Sequence, residues 1–144
     1  MITGLNHVSI VVPDIETAAR TLAEKYGLQV GATMVNAEQG VRLAYIELGN
    51  AKLELIEPSR PDSPVAKFLE RNPKGGIHHF CLGVDDVEGA ARGFAENGVR
   101  VLGDGKPQHN VAGERIAFIH PGDFLGALVE LEQHRATDPG DRRP

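Results

Sequence analysis

Gly76-Ile-His-His-Phe-Cys-Leu-Gly-Val-Asp-Asp-Val-Glu88 is similar in sequence to an earlier segment of the chain, Gly4-Leu-Asn-His-Val-Ser-Ile-Val-Val-Pro-Asp-Ile-Glu16. Each copy places one histidine, His7 or His79, near the start of an apolar run. Identities continue into the segment that follows each copy and cover nearly half of the aligned positions. Unrelated segments of ordinary composition agree at roughly one position in fifteen. The sequence therefore predicts two copies of one structural unit.

The first copy predicts the element order βαβββ. A short segment at 5–12 is rich in β-branched residues and ends at Pro13 and Asp14, which is typical of a strand followed by a turn. Apolar residues at steps of three and four over 15–26, followed by Gly27, predict an amphipathic helix with Asp14 at its N-cap. The three further predicted strands are 28–35, 41–48 and 52–56.

The second copy repeats this order after a proline-rich connector, in which Ser63 and Pro64 predict the start of a short helix. Its predicted elements are a strand at 77–84, a helix at 87–97, strands at 100–102, 116–120 and 127–132, and a long loop at 103–114. The fold class is α+β. We predict one domain at 1–134, with repeat 1 at 4–58, a connector helix at 59–75, repeat 2 at 76–134, and a disordered tail at 135–144.

The length, charge and hydrophobic content of the chain exclude several classes of function. The chain has 144 residues, 41% hydrophobic content and a net charge of -5, which suits a globular domain and argues against general nucleic-acid binding. It has neither an apolar run long enough to span a membrane nor the features of a signal peptide. We therefore expect a cytoplasmic protein without nucleic-acid or membrane partners. The single cysteine, Cys81, lies among apolar residues and is expected to be a buried thiol, not a nucleophile.

The repeat places four metal-capable side chains at equivalent points in the first and last strands of each copy: His7, Glu54, His79 and Glu130. Each glutamate stands between apolar neighbours, so it points to the opposite face of its strand. A single buried histidine is more often a core residue with a backbone partner, but four matched residues favour a shared site. Two imidazoles and two carboxylates suit a borderline or hard divalent cation.

On these features the chain resembles the vicinal oxygen chelate superfamily, which includes glyoxalase I and the extradiol dioxygenases, and within it the methylmalonyl-CoA epimerases. The resemblance extends over 4–133. Any one of the shared phrases is a weak signal, whereas the ordered set is specific. The six phrases are Leu5-Asn-His-Val8, Lys52-Leu-Glu-Leu-Ile-Glu-Pro58, Asp62-Ser-Pro-Val-Ala-Lys-Phe68, Gly75-Gly-Ile-His-His79, Phe118-Ile-His-Pro121 and Gly126-Ala-Leu-Val-Glu-Leu-Glu-Gln133.

The resemblance implies a fold, a reaction and a ligand set. The fold has two βαβββ repeats that form curved mixed sheets around a metal-centred cavity. The reaction interconverts (R)- and (S)-methylmalonyl-CoA by removal of the C2 proton, with a divalent metal stabilising the enolate. His7, Glu54, His79 and Glu130 are the implied ligands of one ion per chain, with Co²⁺ expected and Mn²⁺, Ni²⁺, Zn²⁺ or Mg²⁺ as alternatives. An acyl-CoA substrate and a homodimer are the implied partners.

Two positions depart from the family pattern. Some members have glutamine where this chain has Glu54, and others have glutamate where this chain has Leu43, which cannot transfer a proton. Glu130 is therefore the candidate catalytic base, and Glu47 is a weaker candidate. The second acid or base that inversion requires stays open.

Several other polar residues have less specific predictions. Four cations could contact the CoA phosphates, with no spacing that selects among them: Lys52, Lys74, Lys106 and Arg115. The loop at 103–114 is expected to be a solvated connection, with a lid or phosphate contact as the alternative. His78 alternates with His79 and is expected to face the other side of the strand. His120 begins a turn, and whether it borders the cavity stays open.

Two other functional classes stay open. One is a glyoxalase-like lyase or extradiol-type dioxygenase on the same scaffold, and the other is a metal-free resistance protein that binds a small molecule. Dioxygenases of this superfamily use one carboxylate and two histidines around iron, and a sequestering protein has no need of four ligands. The sequence favours the epimerase.

Overall fold

The computed structural model describes residues 1–103 and 108–134. In this part of the chain both copies adopt the predicted βαβββ order, and the α+β fold class is confirmed. The elements are β1 Ile2–Val11, α1 Ile15–Tyr26, β2 Met34–Asn36, β3 Val41–Glu47, β4 Lys52–Pro58, α2 Pro64–Arg71, β5 Gly76–Val84, α3 Val87–Glu96, β6 Gln108–His109, β7 Arg115–Ile119 and β8 Val129–Gln133, with a 3-10 turn at Pro121–Asp123.

The ends of α1 follow from local chemistry. The Asp14 carboxylate accepts a hydrogen bond from the backbone N–H of Thr17, which would otherwise lack a partner in the first turn. Gly27 ends the helix in the left-handed region at φ 65°, where a residue without Cβ is favoured. Glu57 of β4 accepts the N–H of Ile15 at 3.0 Å and so ties the helix start to the sheet. The predicted span of this helix is confirmed.

Two compact units divide the chain, and neither coincides with a sequence repeat. The first unit is His7–His78, and the second combines Met1–Asn6 with the residues from His79 onward. The boundaries fall inside β1 and β5, so each of these strands contributes one part to each unit. The predicted single-domain organisation stays a prediction.

The first unit has the strand order β2-β3-β4-β1. β1 and β4 are parallel, with Ser9 opposite Glu54, whereas β3 and β4 are antiparallel, with Tyr45 opposite Glu54. One face of the sheet packs against α1 through an apolar core, and the other face carries His7 and Glu54. The buried members of this core are Ile15, Ala44, Ile46 and Leu55. The core fixes the register, because a one-residue slip would turn the apolar side chains to the wrong face.

The second unit has the corresponding order β5-β8-β7-β6, with the first residues of β1 beside β5. β5 and β8 are parallel, with Cys81 opposite Glu130, and β7 and β8 are antiparallel, with Phe118 opposite Glu130. The face that packs against α3 is again apolar. Its buried core consists of Val84, Val87, Ala117, Ile119, Val129 and Leu131. The repeat predicted from sequence is thus present in strand order, pairing direction and register.

Two predicted strands are wrong in extent. The strand predicted at 28–35 is present only as Met34–Asn36. Gly31 in its middle lacks a side chain to pack, and a Cβ at Gly31 would lie 3.3 Å from the carbonyl oxygen of Tyr45. The strand predicted at 100–102 is reduced to a single bridge between Val101 and Ile119, and the second strand of the second copy is β6, inside the predicted loop.

The shortened pairing around Arg100 has a chemical cause. Its backbone N–H and its guanidinium both donate to the Asp123 carboxylate, at 2.8 Å and 2.9 Å, instead of extending a ladder. The guanidinium and the N–H hold the pKa of Asp123 at about 2. This pair therefore anchors the 3-10 turn that follows β7.

Some predictions concern residues outside the described part of the chain. The disordered tail at 135–144 and the phosphate contact at Lys106 belong to this group. Among the described residues, no helix combines the length and the hydropathy that crossing a membrane requires.

Candidate metal centre

His7 and Glu54 lie together in the first unit. His7 is 1% exposed and Glu54 is 7% exposed, and Nε2 of His7 stands 3.7 Å from Oε1 of Glu54. The same carboxylate oxygen accepts a hydrogen bond of 2.9 Å from Oγ of Ser9. The ring of Tyr45 meets the His7 ring edge to face, with centroids 6.0 Å apart. The structure therefore brings one predicted pair of ligands together in a buried, sterically defined position.

His79 and Glu130 form the corresponding pair in the second unit. Nε2 of His79 lies 2.9 Å from Oε2 of Glu130, and both side chains are buried. The ring of Phe118 packs edge to face on His79, with centroids 5.7 Å apart. An aromatic ring thus restricts the histidine in each unit, as the repeat would require.

Cross-strand rows explain why these side chains share a face. In a sheet, residues opposite each other on neighbouring strands point the same way. Each unit contains a row of a small residue, a glutamate and an aromatic residue: Ser9, Glu54 and Tyr45 in the first, and Cys81, Glu130 and Phe118 in the second. The pairing register of neighbouring strands therefore brings these side chains together, and no local sequence motif does so.

Both pairs fit the donor geometry of a metal ion. Ligand atoms about 2.1 Å from one ion stand roughly 3 Å apart when they are at right angles and roughly 4 Å apart when they are opposite. The observed donor separations, 3.7 Å in the first unit and 2.9 Å in the second, are close to this range. Imidazole nitrogen and carboxylate oxygen are donors that borderline and hard divalent cations accept. Each pair could therefore supply two ligands.

Two residues on these faces were not predicted from the sequence. Ser9 contacts Glu54 across strands, which only the register of β1 and β4 shows. Glu132 follows Glu130 by two residues and so lies on the same face of β8, and it accepts a hydrogen bond of 3.3 Å from the Asn6 amide. The alternation Glu-Leu-Glu in β8 is a signal that could have revealed this second carboxylate.

Leu43 and Glu47 occupy different surroundings on β3. Leu43 is 3% exposed and stands opposite the buried Ile56, which is itself opposite Val11, so it belongs to an apolar row next to the Glu54 row. Glu47 is exposed and stands opposite Lys52. The position where some relatives carry glutamate is therefore a packed apolar position in this chain.

The predicted phosphate contacts are in three different situations. The Lys52 ammonium lies 5.2 Å from the centroid of the Tyr45 ring, on the face that carries Glu54. Lys74 is exposed in the turn before β5. Arg115 pairs with Glu88 of α3 at 2.9 Å, which directs it to the helix-covered side of β7 and away from the face of Glu130.

The remaining predicted residues have structural partners. His78 packs edge to face on Phe68 of α2, with centroids 5.4 Å apart. His120 accepts the N–H of Gly122 through Nδ1 and caps the 3-10 turn. Cys81 is fully buried, as expected, and its sulfur lies 3.9 Å from the carbonyl oxygen of Leu82.

Comparison with known proteins agrees with this arrangement. The sequence profile of the glyoxalase/bleomycin resistance protein/dioxygenase superfamily matches residues 6–118. The ethylmalonyl-CoA/methylmalonyl-CoA epimerase of Cereibacter sphaeroides is 48% identical over 133 residues, which cover 92% of this chain and 99% of that protein. The chain belongs to the methylmalonyl-CoA epimerase family. The family resemblance predicted from sequence is confirmed.

Solved structures of methylmalonyl-CoA epimerases share this fold. One, in complex with methylmalonyl-CoA and NH4⁺, is 38% identical with a TM-score of 0.86, over 96% of this chain and 99% of that chain. A Streptomyces coelicolor variant with leucine in place of a glutamate, in complex with 2-nitronate-propionyl-CoA, has the same identity, TM-score and coverage.

Proposed function

We infer that this protein is a methylmalonyl-CoA epimerase, an isomerase that moves the C2 proton of an acyl-CoA thioester from one face to the other. The observation that carries this conclusion is the pair of buried His–Glu couples at equivalent positions of a chain that belongs to the epimerase family. A relative that is 48% identical is named for both ethylmalonyl-CoA and methylmalonyl-CoA. The substrate class is therefore a 2-alkylmalonyl-CoA.

We propose that the two couples serve one divalent ion, with His7, Glu54, His79 and Glu130 as its ligands. A bound ion of this kind supplies Lewis-acid stabilisation of the negative charge that develops on the substrate oxygens. Co²⁺ is the metal we expect, because imidazole and carboxylate donors suit it and because it is the usual metal of the family that this sequence resembles. Tyr45 and Phe118 hold the two imidazole rings in place, which reduces the rotational freedom lost on binding.

Glu130 is the proposed proton acceptor. Its carboxylate is buried, and the neighbouring His79 nitrogen contacts one of its oxygens at 2.9 Å, which fixes its orientation. The C2–H bond breaks, the proton passes to the carboxylate, and the electron pair is delocalised over the thioester and the free carboxylate of the substrate. A second acid then donates a proton to the opposite face of C2, which gives the other epimer, and the Glu130 carboxyl group releases its proton to solvent.

The reaction itself provides the test of function. Metal-stripped protein refilled with Co²⁺ and given (2R)-methylmalonyl-CoA in D₂O should form the (2S) epimer and incorporate deuterium at C2. The carbon-bound hydrogens of the CoA portion should not exchange, and ethylmalonyl-CoA should react in a parallel assay. NMR or mass spectrometry measures both. Refilled protein that forms neither the epimer nor the deuterated substrate would contradict the assignment.

Leu43 is expected to be a packing residue and not a lost catalytic position. Leu43→Glu buries a carboxylate in the row that contains Ile56 and Val11, which should destabilise the fold by about 1–3 kcal/mol without raising the exchange rate. Leu43→Met is the matched control, since it keeps an apolar side chain of similar volume. Thermal unfolding and deuterium exchange measure the two effects. A faster Leu43→Glu enzyme with unchanged Tm would instead show that the chain lacks a base at this position.

A homodimer in the cytoplasm is part of the same proposal. Among the described residues the short strands β2 and β6 are the edge strands, and Val35 on β2 is 60% exposed. Sedimentation at micromolar concentration should give twice the mass of the chain. A monomer mass under these conditions would refute the dimer, and cell fractionation tests the location.

A further inference from the structure

Ser9 carries a buried hydroxyl that the proposed reaction does not use. It lies on β1 two residues after His7, and it is completely buried. Its Oγ donates a hydrogen bond of 2.9 Å to Oε1 of Glu54, the same oxygen that stands 3.7 Å from Nε2 of His7. The serine therefore holds the carboxylate oxygen that lies beside the histidine.

This hydrogen bond reduces the conformational entropy that the Glu54 side chain would otherwise lose when it binds an ion. A glutamate turns about three side-chain bonds, and a ligand that needs one orientation must overcome the loss of that freedom. A hydrogen bond to an ionised carboxylate is stronger than one between neutral groups, and burial strengthens it further. Ser9 can thus set the orientation of Glu54 before an ion binds.

The second unit has a cysteine in place of this serine. Cys81 takes the equivalent place, opposite Glu130 in register, and its sulfur lies 3.9 Å from the carbonyl oxygen of Leu82. Nε2 of His79 lies 2.9 Å from Glu130, and Nε2 of His7 lies 3.7 Å from Glu54. The serine hydroxyl therefore contacts the glutamate of the more widely spaced couple.

We propose that Ser9 is a positioning residue that preorganises Glu54 to bind a divalent cation. Its hydrogen bond holds Oε1 of Glu54 at 3.7 Å from Nε2 of His7, within the separation expected of two ligands of one ion. The proposal rests on the metal role of His7 and Glu54 and is independent of the acyl-CoA chemistry.

Two measurements test the proposal. One is Co²⁺ affinity, measured by chelator competition, and the other is the visible absorption spectrum of bound Co²⁺. Ser9→Ala should weaken binding by about 10- to 100-fold, the range for residues that orient metal ligands, and should change the absorption bands. Ser9→Cys, which introduces the side chain found at the equivalent position, should show a similar loss. Ser9→Thr keeps the hydroxyl and should retain most of the Co²⁺ affinity of the unaltered protein.

Ser63→Ala is the matched control. Ser63 is also a completely buried serine of the first unit, but its Oγ accepts the Val65 N–H at the start of α2. This substitution should lower Tm through the lost cap and leave Co²⁺ affinity unchanged. The comparison separates a positioning role from a general loss of stability.

A double-mutant cycle completes the test. In a Glu54→Ala background, Ser9→Ala should cause no further loss of Co²⁺ affinity, because the serine acts through the glutamate. Unchanged affinity in Ser9→Ala, or an equal loss in both backgrounds, would overturn the role of Ser9. If His7→Ala and Glu54→Ala bind Co²⁺ as tightly as the unaltered protein, the proposed metal centre itself fails.

Discussion

His79→Ala is expected to remove most of the bound divalent ion and to lower epimerisation by at least roughly a thousandfold. The imidazole is one of four proposed ligands, and the charge stabilisation that depends on the ion is worth several kcal/mol, where each 1.4 kcal/mol is about a factor of ten in rate. His7→Ala should behave in the same way, because the repeat gives it the equivalent position. Elemental analysis and the epimerisation assay measure the two losses.

The chain provides a matched control in the adjacent residue. His78 packs on Phe68 of α2, and as the strand neighbour of His79 it points to the other face of β5, so His78→Ala should keep both metal and activity. Both variants remove an imidazole from β5, and they differ in the partner that the ring contacts. Full metal occupancy in His79→Ala would contradict the proposed ligand set.

Glu130→Gln should lower deuterium exchange at C2 by about 10²- to 10⁴-fold, the range for loss of a general base. The amide keeps the size and one oxygen donor of the carboxylate but cannot accept the proton. The variant should therefore retain part of the metal while losing most of the exchange. Single-turnover exchange in D₂O, normalised to bound metal, measures this separation.

Glu57→Gln is the control for this substitution. Glu57 is 8% exposed and accepts the Ile15 N–H at 3.0 Å, on the face of the sheet that α1 covers. The control should change stability and leave exchange intact. Exchange at the unaltered rate in metal-loaded Glu130→Gln would remove Glu130 from proton transfer and leave it as a ligand alone.

Local signals predicted the elements whose causes are local. Asp14 and Gly27 mark both ends of α1 because a carboxylate cap and a left-handed glycine act within one helical turn. The internal repeat predicted which histidines and glutamates are equivalent, and each unit does bring one of each together.

Features that depend on distant residues could not be read from the sequence. The contact of Ser9 with Glu54 spans 45 residues and exists only through the register of β1 and β4. β6 comprises only Gln108 and His109, too short for a periodic pattern to emerge. Arg115 has the charge expected of a phosphate contact, but pairing with Glu88 directs it to the helix side of the sheet.

The division of β1 and β5 determines which fragments of the chain would be structurally complete. Each compact unit is offset from the sequence repeat, since Met1–Asn6 belong with the residues from His79 onward. A cut between α2 and β5 would therefore separate the two repeats but not the two units. Each fragment would lack a strand segment of its own compact unit and carry one that belongs to the other.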